Sequence, residues 1–489
     1  MGFISLGCPK NLVDSEVMMG LLDRAGARLT NNPEDAEILV VNTCSFIDSA
    51  KQESVNTILE MVQHKTAGTA KRLIVAGCLV ERYRDEIQKN IPEVDAVVGT
   101  GELEAILAAA GLNPTPAPAI NNSPFNILTA SELVERAPSA VNKHSRPEGD
   151  LREEQGRFSR EHWDGAIASL PNYLYTDETP RILTTPKSSA YIKIAEGCDH
   201  PCGFCIIPQL RGKFRSRRFE SVVAEAENLV RQGVREITLI GQDTTCYGED
   251  LGLKDGLAQL LDALARIEGL KWLRFLYAYP NKVTTKLLET IAKHDNIAKY
   301  LDVPLQHASP AVLKRMKRGG SGEIFLKMIE KARSVVPDLV LRTTFIVGFP
   351  GETEEDFELL EDFVRQAKID WLGAFPYSDE EGSPAFDLDA KVPKRTIESR
   401  RKRLMKLQQK ISAERQQNWI GREFDLLVEG VSDETELLWQ GRTMLHAPEI
   451  DGKVLINDFG PHETLVPGTF YRCEITESHH YDVVARILE

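Results

Sequence analysis

The sequence predicts an α/β protein in three folded parts: an N-terminal open parallel α/β sheet domain, a central partial (β/α)6 barrel and a small C-terminal antiparallel β-barrel. Strand-like and helix-like patterns alternate over residues 1–110 and again over 190–419, which is typical of parallel sheets. Short, evenly spaced strand patterns then follow over 420–489, as in a small barrel. With 489 residues, the chain also exceeds what one hydrophobic core serves.

Composition narrows the class of protein. The net charge of −14 argues against a surface that attracts nucleic acid everywhere. No apolar run approaches the roughly 18 residues that cross a bilayer, and the first residues lack a charged segment ahead of a long apolar one. We therefore expect a cytoplasmic protein without membrane contact. Eight cysteines in such a chain indicate metal or catalytic thiols before disulfides.

Three of these cysteines each follow a short apolar run in the N-terminal domain. They are Cys8, Cys44 and Cys78, with Gly7 and Gly77 directly before two of them. The carboxyl ends of parallel strands share one edge of a sheet, so we expect the three thiols to converge. Core packing explains any one of them equally well, but three at the same structural phase favour an iron–sulfur site. Since a [4Fe–4S] cluster normally takes four thiolates, three would leave one iron open.

Residues 111–189 have a different composition. They contain nine of the chain's 25 prolines, and only Ala130–Arg136 has the pattern of a short helix. Such a segment is typical of a Pro-rich linker or insertion between domains, with a functional lid as the alternative.

The loop Cys198-Asp-His-Pro-Cys-Gly-Phe-Cys205 spaces three further cysteines as C-x3-C-x2-C. Three thiols on one loop predict a second [4Fe–4S] site with an open iron, held by Cys198, Cys202 and Cys205. The alternative is a zinc knuckle with His200 as the fourth ligand. Structural zinc sites usually pair two half-sites, however, and no second pair lies at the expected spacing.

The central domain carries the repeated strand and helix patterns of the predicted barrel, whose active groups belong at the carboxyl ends of the strands. The expected strands are Glu236–Ile240, Trp272–Tyr277, Tyr300–Val303, Val340–Val347 and Trp371–Pro376, and the expected helices are Ser221–Gln232, Leu257–Ile267, Thr284–Lys293, Ala311–Lys317, Gly322–Val335 and Glu354–Gln366. Polar or glycine-rich runs follow the strands at Gly241–Gly248, Leu305–Ser309 and Phe345–Glu352. The cationic run Arg211–Arg218 predicts either a solvated face or a contact with an anion or carboxylate.

A long helix is expected over Val392–Trp419, ahead of the barrel. From residue 421 to the end, five Lys or Arg stand against fourteen Asp or Glu. This acidic balance disfavours a phosphate backbone as the target of the barrel and favours a basic partner.

The cysteine loop resembles the signature of the radical S-adenosylmethionine (SAM) superfamily, in which an aromatic residue, here Phe204, precedes the last cysteine. The resemblance implies that the open iron binds the amino and carboxylate groups of SAM and that an electron from the cluster cleaves SAM to a 5′-deoxyadenosyl radical. Gly241-Gln242-Asp243 stands where that superfamily often has Gly-Gly-Glu, which holds the methionyl amine. Phe204, Gln242 and Asp243 are therefore expected to bind the cofactor.

The order of the parts resembles the methylthiotransferases over most of the chain outside the linker, and the barrel is similar to their TRAM domain. The resemblance implies that the Cys198–Cys205 loop holds the SAM-cleaving cluster and that the three N-terminal cysteines hold an auxiliary [4Fe–4S] cluster that carries sulfur. Such enzymes use SAM twice, to methylate the sulfur and to make the radical that takes hydrogen from an unactivated carbon. The product gains a C–SCH3 group.

Four local motifs are similar to the branch of this family that modifies a ribosomal protein. They are Ser5–Asn11, Gln242–Thr245, Pro304–Ala308 and Leu341–Phe345. Gln306 and Arg342, within the last two, are further expected cofactor-binding residues. The implied function is methylthiolation of the β-carbon of an aspartate in small-subunit ribosomal protein twelve, a basic protein, free or on the ribosome. The implied electron donor is a protein such as flavodoxin or ferredoxin.

Two other functions compete with this one. A methylthiotransferase acting at the 2-position of an N6-modified adenosine in transfer RNA would be expected to carry a basic barrel, and the acidic barrel argues against transfer RNA. An iron–sulfur protein that only binds the ribosome or passes electrons predicts no cleavage of SAM.

Overall fold

The N-terminal part is the open parallel sheet that the sequence predicts. The computed structural model describes residues 1–112, 170–432 and 435–488. The elements of this part are β1 (Gly2–Ser5), α1 (Pro9–Arg24), β2 (Ile38–Thr43), α2 (Asp48–Thr66), β3 (Arg72–Gly77), α3 (Cys78–Asn90), β4 (Ala96–Val98) and α4 (Ile106–Ala109). The strands pair in parallel in the order β1-β2-β3-β4.

The sequence of β2 explains why helices cover both faces of this sheet. Val40 packs with Val13 and Val17 of α1, whereas Leu39 and Val41 pack with α2 on the other face. A strand that is buried on both faces is a continuous apolar run rather than an alternating one. Cys44 and Cys78 therefore follow buried strands, whereas β1, ahead of Cys8, is partly exposed.

The predicted partial (β/α)6 barrel is confirmed. Its elements are β5 (Ser189–Lys193), β6 (Ala195–Glu196), α5 (Ile207–Arg211), β7 (Arg215–Ser216), α6 (Phe219–Arg231), β8 (Glu236–Ile240), α7 (Gly256–Leu264), β9 (Trp272–Phe275), α8 (Thr285–Lys293), β10 (Tyr300–Asp302), α9 (Pro310–Arg315), α10 (Gly322–Val335), β11 (Val340–Val347), α11 (Glu354–Ala367), β12 (Trp371–Pro376) and α12 (Lys394–Gln417). Parallel strands β5, β8 and β9 form one sheet, and β10, β11 and β12 form another.

Backbone hydrogen bonds join these two sheets into one wall. The Ala298 N–H donates to the Leu273 carbonyl oxygen at 2.9 Å, and the Ala278 N–H donates to the Asp302 carbonyl oxygen at 2.9 Å. The loops after the strands consequently meet at one end of the wall, where barrels of this kind place their active groups.

The described end of the predicted linker packs against both neighbouring domains. Residues 113–169, which include the predicted helix Ala130–Arg136, lie outside the described part of the chain. In the remainder, Arg181 pairs with Glu16 of α1 at 2.6 Å and with Glu225 of α6 at 2.7 Å. This stretch therefore ties the N-terminal domain to the core, a role that its composition did not indicate.

The C-terminal strands close into a small barrel, as predicted. They are β13 (Glu423–Val431), β14 (Trp439–Thr443), β15 (Val454–Asp458), β16 (Phe470–Ser478) and β17 (Val483–Ile487). They follow one another around the barrel in the order β13-β14-β15-β17-β16. The pairings are antiparallel except between β15 and β17, which run parallel. An alternating pattern predicts strands but not their partners, so this parallel pair was not expected.

Buried polar contacts hold the C-terminal barrel against the core. The Arg442 guanidinium donates to Glu236 Oε1 at 2.8 Å and to Ser189 Oγ at 3.0 Å. The Trp371 indole N–H donates to the Leu445 carbonyl oxygen at 3.1 Å. Among the helices that the structure describes, none combines the length and the apolar character needed to cross a membrane.

His446 is a buried titratable residue in the interface between the C-terminal barrel and the core. Its ring lies between Trp371 and Trp419, with ring centroids 5.5 and 5.6 Å away. Burial, together with the nearby charges of Arg274 and Arg442, lowers the pKa of His446 from 6.5 to about 3. Between these two values the unfolded chain binds a proton that the folded chain does not, so the free energy of unfolding should fall as the pH drops.

We expect this effect to lower the apparent melting temperature between pH 7 and pH 5, by an amount that reflects up to one proton per molecule. The measurement is thermal unfolding at both pH values for the wild type and for His446→Gln, which keeps a polar side chain but cannot titrate. The variant should lose less stability than the wild type over this interval. Equal losses in the two proteins would contradict the assignment to His446.

Candidate functional site

The three N-terminal cysteines lie together at the carboxyl edge of the first sheet. Cys8 precedes α1, Cys44 follows β2 and Cys78 opens α3. Gly7 has a φ of +91°, and a Cβ on it would lie 2.7 Å from the Cys44 Cβ. Gly77 has a φ of +94°, and a Cβ on it would lie 2.6 Å from a backbone oxygen of β2. Only glycine permits these close approaches, so the two glycines allow the strand ends to meet.

The second set of thiols lies on a loop that the core holds by its backbone. Within this Cys198 loop (Cys198–Cys205), the Gly203 N–H donates to the Met316 carbonyl oxygen at 2.8 Å. The Gly203 carbonyl oxygen accepts from the Ala385 N–H at 2.8 Å. Phe204 packs into an apolar cluster that contains Phe349. Two backbone hydrogen bonds and the packing of Phe204 therefore hold the loop against the core.

Two sulfur atoms of this loop already receive hydrogen bonds. Arg318 Nη1 donates to Cys202 Sγ at 3.4 Å, and the Ile207 N–H donates to Cys205 Sγ at 3.4 Å. Donors of this kind stabilise a thiolate and tune the potential of an iron–sulfur cluster. The surroundings of these cysteines therefore fit metal-bound thiolates.

The two sets of cysteines adjoin each other. Cys78 packs with Ile206, the residue after Cys205, and with Leu210 of α5. On the same side, Arg211 Nη2 lies 3.5 Å from Cys78 Sγ. The predicted convergence within the N-terminal set thus extends to the loop of the core domain.

A buried network of four charges joins the N-terminal domain to the core beside these thiols. Asp14 of α1 pairs with Arg211 and with Lys193, at 2.5 Å in each case. Glu196 pairs with Lys193 and, at 3.3 Å, with Arg211. Burial opposes ionisation of Glu196, but the two cations hold its pKa well below the usual range. The charges balance within the network, which is how buried ionic groups are tolerated.

Burial governs the unligated thiols. It raises the pKa of Cys78 and of Cys198 to about 12 in each case. Such thiols are neutral and unreactive at physiological pH unless a metal ion removes the proton on coordination. The cysteines are therefore better suited to ligating a cluster than to acting as free nucleophiles.

Two of the expected cofactor-binding residues follow β8. Gln242 Nε2 donates to Glu196 Oε1 at 2.7 Å, so it touches the buried charge network. Asp243 accepts from the Thr245 N–H at 2.8 Å, and its Oδ2 lies 2.6 Å from His200 Nε2. Both residues therefore lie close to the Cys198 loop, but their roles toward SAM stay predictions.

Gln306 and Arg342 occupy different depths of the barrel. Gln306 has a φ of +72° and bridges to Phe345 at the carboxyl end of β11. Arg342 lies nearer the amino end of β11, where it pairs with Asp302 at 2.8 Å and with Asp451 of the C-terminal barrel at 3.6 Å. Its role as a cofactor contact likewise stays a prediction.

His200, the fourth ligand in the zinc alternative for the Cys198 loop, contacts residues outside that loop. The His200 ring stacks on Tyr279 at 3.9 Å, and its Nε2 is engaged with Asp243. Cys246, which belongs to neither set of three cysteines, donates to Asp243 Oδ2 at 3.1 Å. Ligand atoms of His200, Asp243 and Cys246 lie within 4.8 Å of one another, so these three could hold a metal ion.

The cationic run Arg211–Arg218 forms carboxylate contacts rather than a solvated face at its buried members. Arg211 belongs to the charge network, and Arg217 pairs with Glu225. Both arginines are 2% exposed. Of the two expectations, the carboxylate contact is the correct one for these two residues.

Sequence reasoning missed a lysine and a tyrosine that belong to this region. Lys10 Nζ lies 3.3 Å from the centre of the Tyr277 ring, across the junction of the two domains. Lys10 lies within the motif Ser5–Asn11, so the sequence does contain a local indication that this residue is functional. Tyr277 was assigned only to the end of a strand, and its contact with Lys10 joins positions too distant in sequence for any local pattern.

Family models match three parts of the chain. Residues 1–99 match the Uncharacterized protein family UPF0004, residues 192–364 match the Radical SAM superfamily, and residues 420–488 match the TRAM domain.

Curated relatives match over the whole length. A protein of Koribacter versatilis named ribosomal protein uS12 methylthiotransferase RimO is 70% identical, covering 100% of this chain and 96% of the relative. Proteins of the same name from Solibacter usitatus and Geobacter sulfurreducens are 56% and 43% identical, each covering 100% of this chain and 94% and 98% of the relative, respectively.

One solved structure resembles the fold. The radical SAM methyltransferase TsrM from Kitasatospora setae, with cobalamin and a [4Fe–4S] cluster bound, aligns with a TM-score of 0.51 at 15% identity. The alignment covers 78% of this chain and 76% of that one. At this identity the likeness concerns the fold alone.

Proposed function

Because the chain belongs to the family of ribosomal protein uS12 methylthiotransferases named RimO, we propose that it attaches a methylthio group to the β-carbon of an aspartate in ribosomal protein uS12. The observation that best supports this reaction is the meeting of the two cysteine sets, with Cys78 packed against the residue that follows Cys205. A sulfur carried at one site must reach a carbon radical generated at the other, and this reaction requires such proximity.

As a radical SAM enzyme, the protein uses a [4Fe–4S] cluster and SAM. Cys198, Cys202 and Cys205 would hold that cluster, with Phe204 and Arg318 supporting the loop. Gln242, Asp243, Gln306 and Arg342 are the proposed contacts of SAM. When bound, the cluster supplies the electron that cleaves SAM into methionine and the 5′-deoxyadenosyl radical. The protein contributes by holding the loop in place through the backbone of Gly203 and by burying Cys202.

A second [4Fe–4S] cluster is proposed at Cys8, Cys44 and Cys78. The glycine before Cys8 and the one before Cys78 bring the three strand ends together, and Arg211 offers a donor to the Cys78 sulfur. The same arginine is paired with Asp14 and lies beside Glu196. Through these contacts it fixes the N-terminal set of thiols relative to the core domain that binds SAM.

The acidic C-terminal barrel supports a basic protein substrate, free or within the ribosome. Fourteen acidic against five basic residues from residue 421 onward favour a cationic protein surface over the phosphates of transfer RNA. The electron donor in this proposal is a low-potential protein such as flavodoxin or ferredoxin.

Mass spectrometry tests the substrate. Deleting the gene should remove one methylthio group from uS12 while leaving the methylthiolated nucleosides of transfer RNA intact. The purified enzyme with SAM and a reductant should restore the group to uS12 from the deletion strain. If the deletion instead removed the methylthiolated nucleosides and left the mass of uS12 unchanged, the result would support the transfer RNA function.

A further inference from the structure

Lys10 is a buried cation without a carboxylate partner in the region where the two domains meet. It is only 8% exposed, its Nζ lies over the ring of Tyr277, and among the described residues it forms no ion pair with a carboxylate. An ammonium group this deeply buried costs free energy unless an anion compensates it.

Other buried cations near the thiols have such a partner. Lys193 and Arg211 share Asp14, and Arg82, which donates to the carbonyl oxygen of Ser45 next to Cys44, pairs with Glu380 at 2.8 Å. Lys10 is therefore different from its neighbours within the described part of the site.

The helix that carries Lys10 gives it no compensation. Lys10 is the second residue of α1, whose first turn contains no acidic residue. The amino end of a helix is the positive end of its dipole, where a cation is disfavoured and an anion is favoured. The helix end and the ammonium thus add up to a positive potential directly after Cys8.

The aromatic platform under Lys10 is held in a strained backbone conformation. Tyr277 has a φ of +63°, a backbone conformation that residues other than glycine rarely adopt. Its N–H donates to Asp302 Oδ2 at 2.9 Å, and its carbonyl oxygen accepts from the Thr244 N–H at 3.2 Å. Strain retained by such contacts is typical of residues that position a ligand.

We propose that Lys10, supported on the ring of Tyr277, binds the side-chain carboxylate of the substrate aspartate. This inference rests on the proposed function, because it takes the substrate to be an aspartate side chain. The carbon to be modified is next to the carboxyl carbon, so a cation between Cys8 and the carboxyl end of β9 would hold that carbon near both sets of thiols. The ion pair would also exclude asparagine at the same position.

The test compares binding of two proteins to the enzyme with both clusters loaded. One is unmodified uS12 and the other is uS12 with the target aspartate replaced by asparagine, each titrated anaerobically by calorimetry. The wild type should prefer the aspartate form by about tenfold or more, the value of a hydrogen bond to a charged group. Lys10→Gln should reduce this ratio toward one, whereas Lys10→Arg should retain part of it.

Lys71→Gln is the matched control, because Lys71 is exposed and pairs with Glu37 at the opposite edge of the same sheet. It should leave the ratio unchanged.

An unchanged ratio in Lys10→Gln with full iron content would overturn the inference and leave Lys10 as a counter-cation of the cysteine ligands. If that variant does not hold iron, Tyr277→Leu decides by the same ratio, since it removes the platform and keeps the charge. A wild type that modifies uS12 but binds both forms equally would refute only the role of Lys10, whereas a wild type that does not modify uS12 would refute the proposed function.

Discussion

Cys202→Ala is expected to abolish cleavage of SAM, reducing formation of 5′-deoxyadenosine to that of a sample without enzyme. Cys202 is 8% exposed and receives a hydrogen bond from Arg318. Its loss leaves two thiols where three are needed to hold a cluster with one open iron. The measurement is chromatography of anaerobic reactions with SAM and dithionite, together with iron analysis, which should fall from about eight to about four atoms per chain.

Cys473→Ala is the control for this experiment. Cys473 is a buried cysteine on β16 of the C-terminal barrel, and it belongs to neither set of three. The same substitution there should leave both the iron content and the yield of 5′-deoxyadenosine at the wild-type values. If Cys202→Ala still cleaved SAM, the Cys198 loop would not be the SAM-cleaving site.

Local sequence patterns were sufficient to predict most of the fold. The strand Val340–Val347 and the helix Gly322–Val335 were predicted with the observed bounds, because their apolar periodicity and flanking turns are strong. The convergence of the three N-terminal cysteines was also predictable, since the carboxyl ends of parallel strands lie on one edge. In these cases the information lies within a few residues of each element.

Contacts between domains were not predictable in the same way. Asp451 reaches Arg342 across 109 positions of sequence, and Lys10 reaches the ring of Tyr277 from another domain. Nothing near either residue in the sequence specifies its partner. The parallel pairing of β15 with β17 is a similar case, because the hydrophobic alternation of a strand is the same for both directions of its neighbour.

The two sets of cysteines differ in what a single substitution should remove. Cys44 follows β2 in the N-terminal domain, whereas the loop that carries Cys202 is held by backbone contacts within the core. A change at Cys44 therefore leaves the support of the Cys198 loop intact. This separation of structural support allows the two proposed clusters to be tested one at a time.

Cys44→Ala is accordingly expected to retain cleavage of SAM but to lose methylthiolation of uS12 completely. Iron should again fall to about four atoms per chain, now with the yield of 5′-deoxyadenosine preserved. Mass spectrometry of uS12 after incubation measures the product, and Cys473→Ala should modify uS12 as the wild type does. Methylthiolated uS12 from the Cys44 variant would remove the N-terminal cysteines from sulfur delivery, whereas loss of SAM cleavage as well would show that the two sites depend on each other.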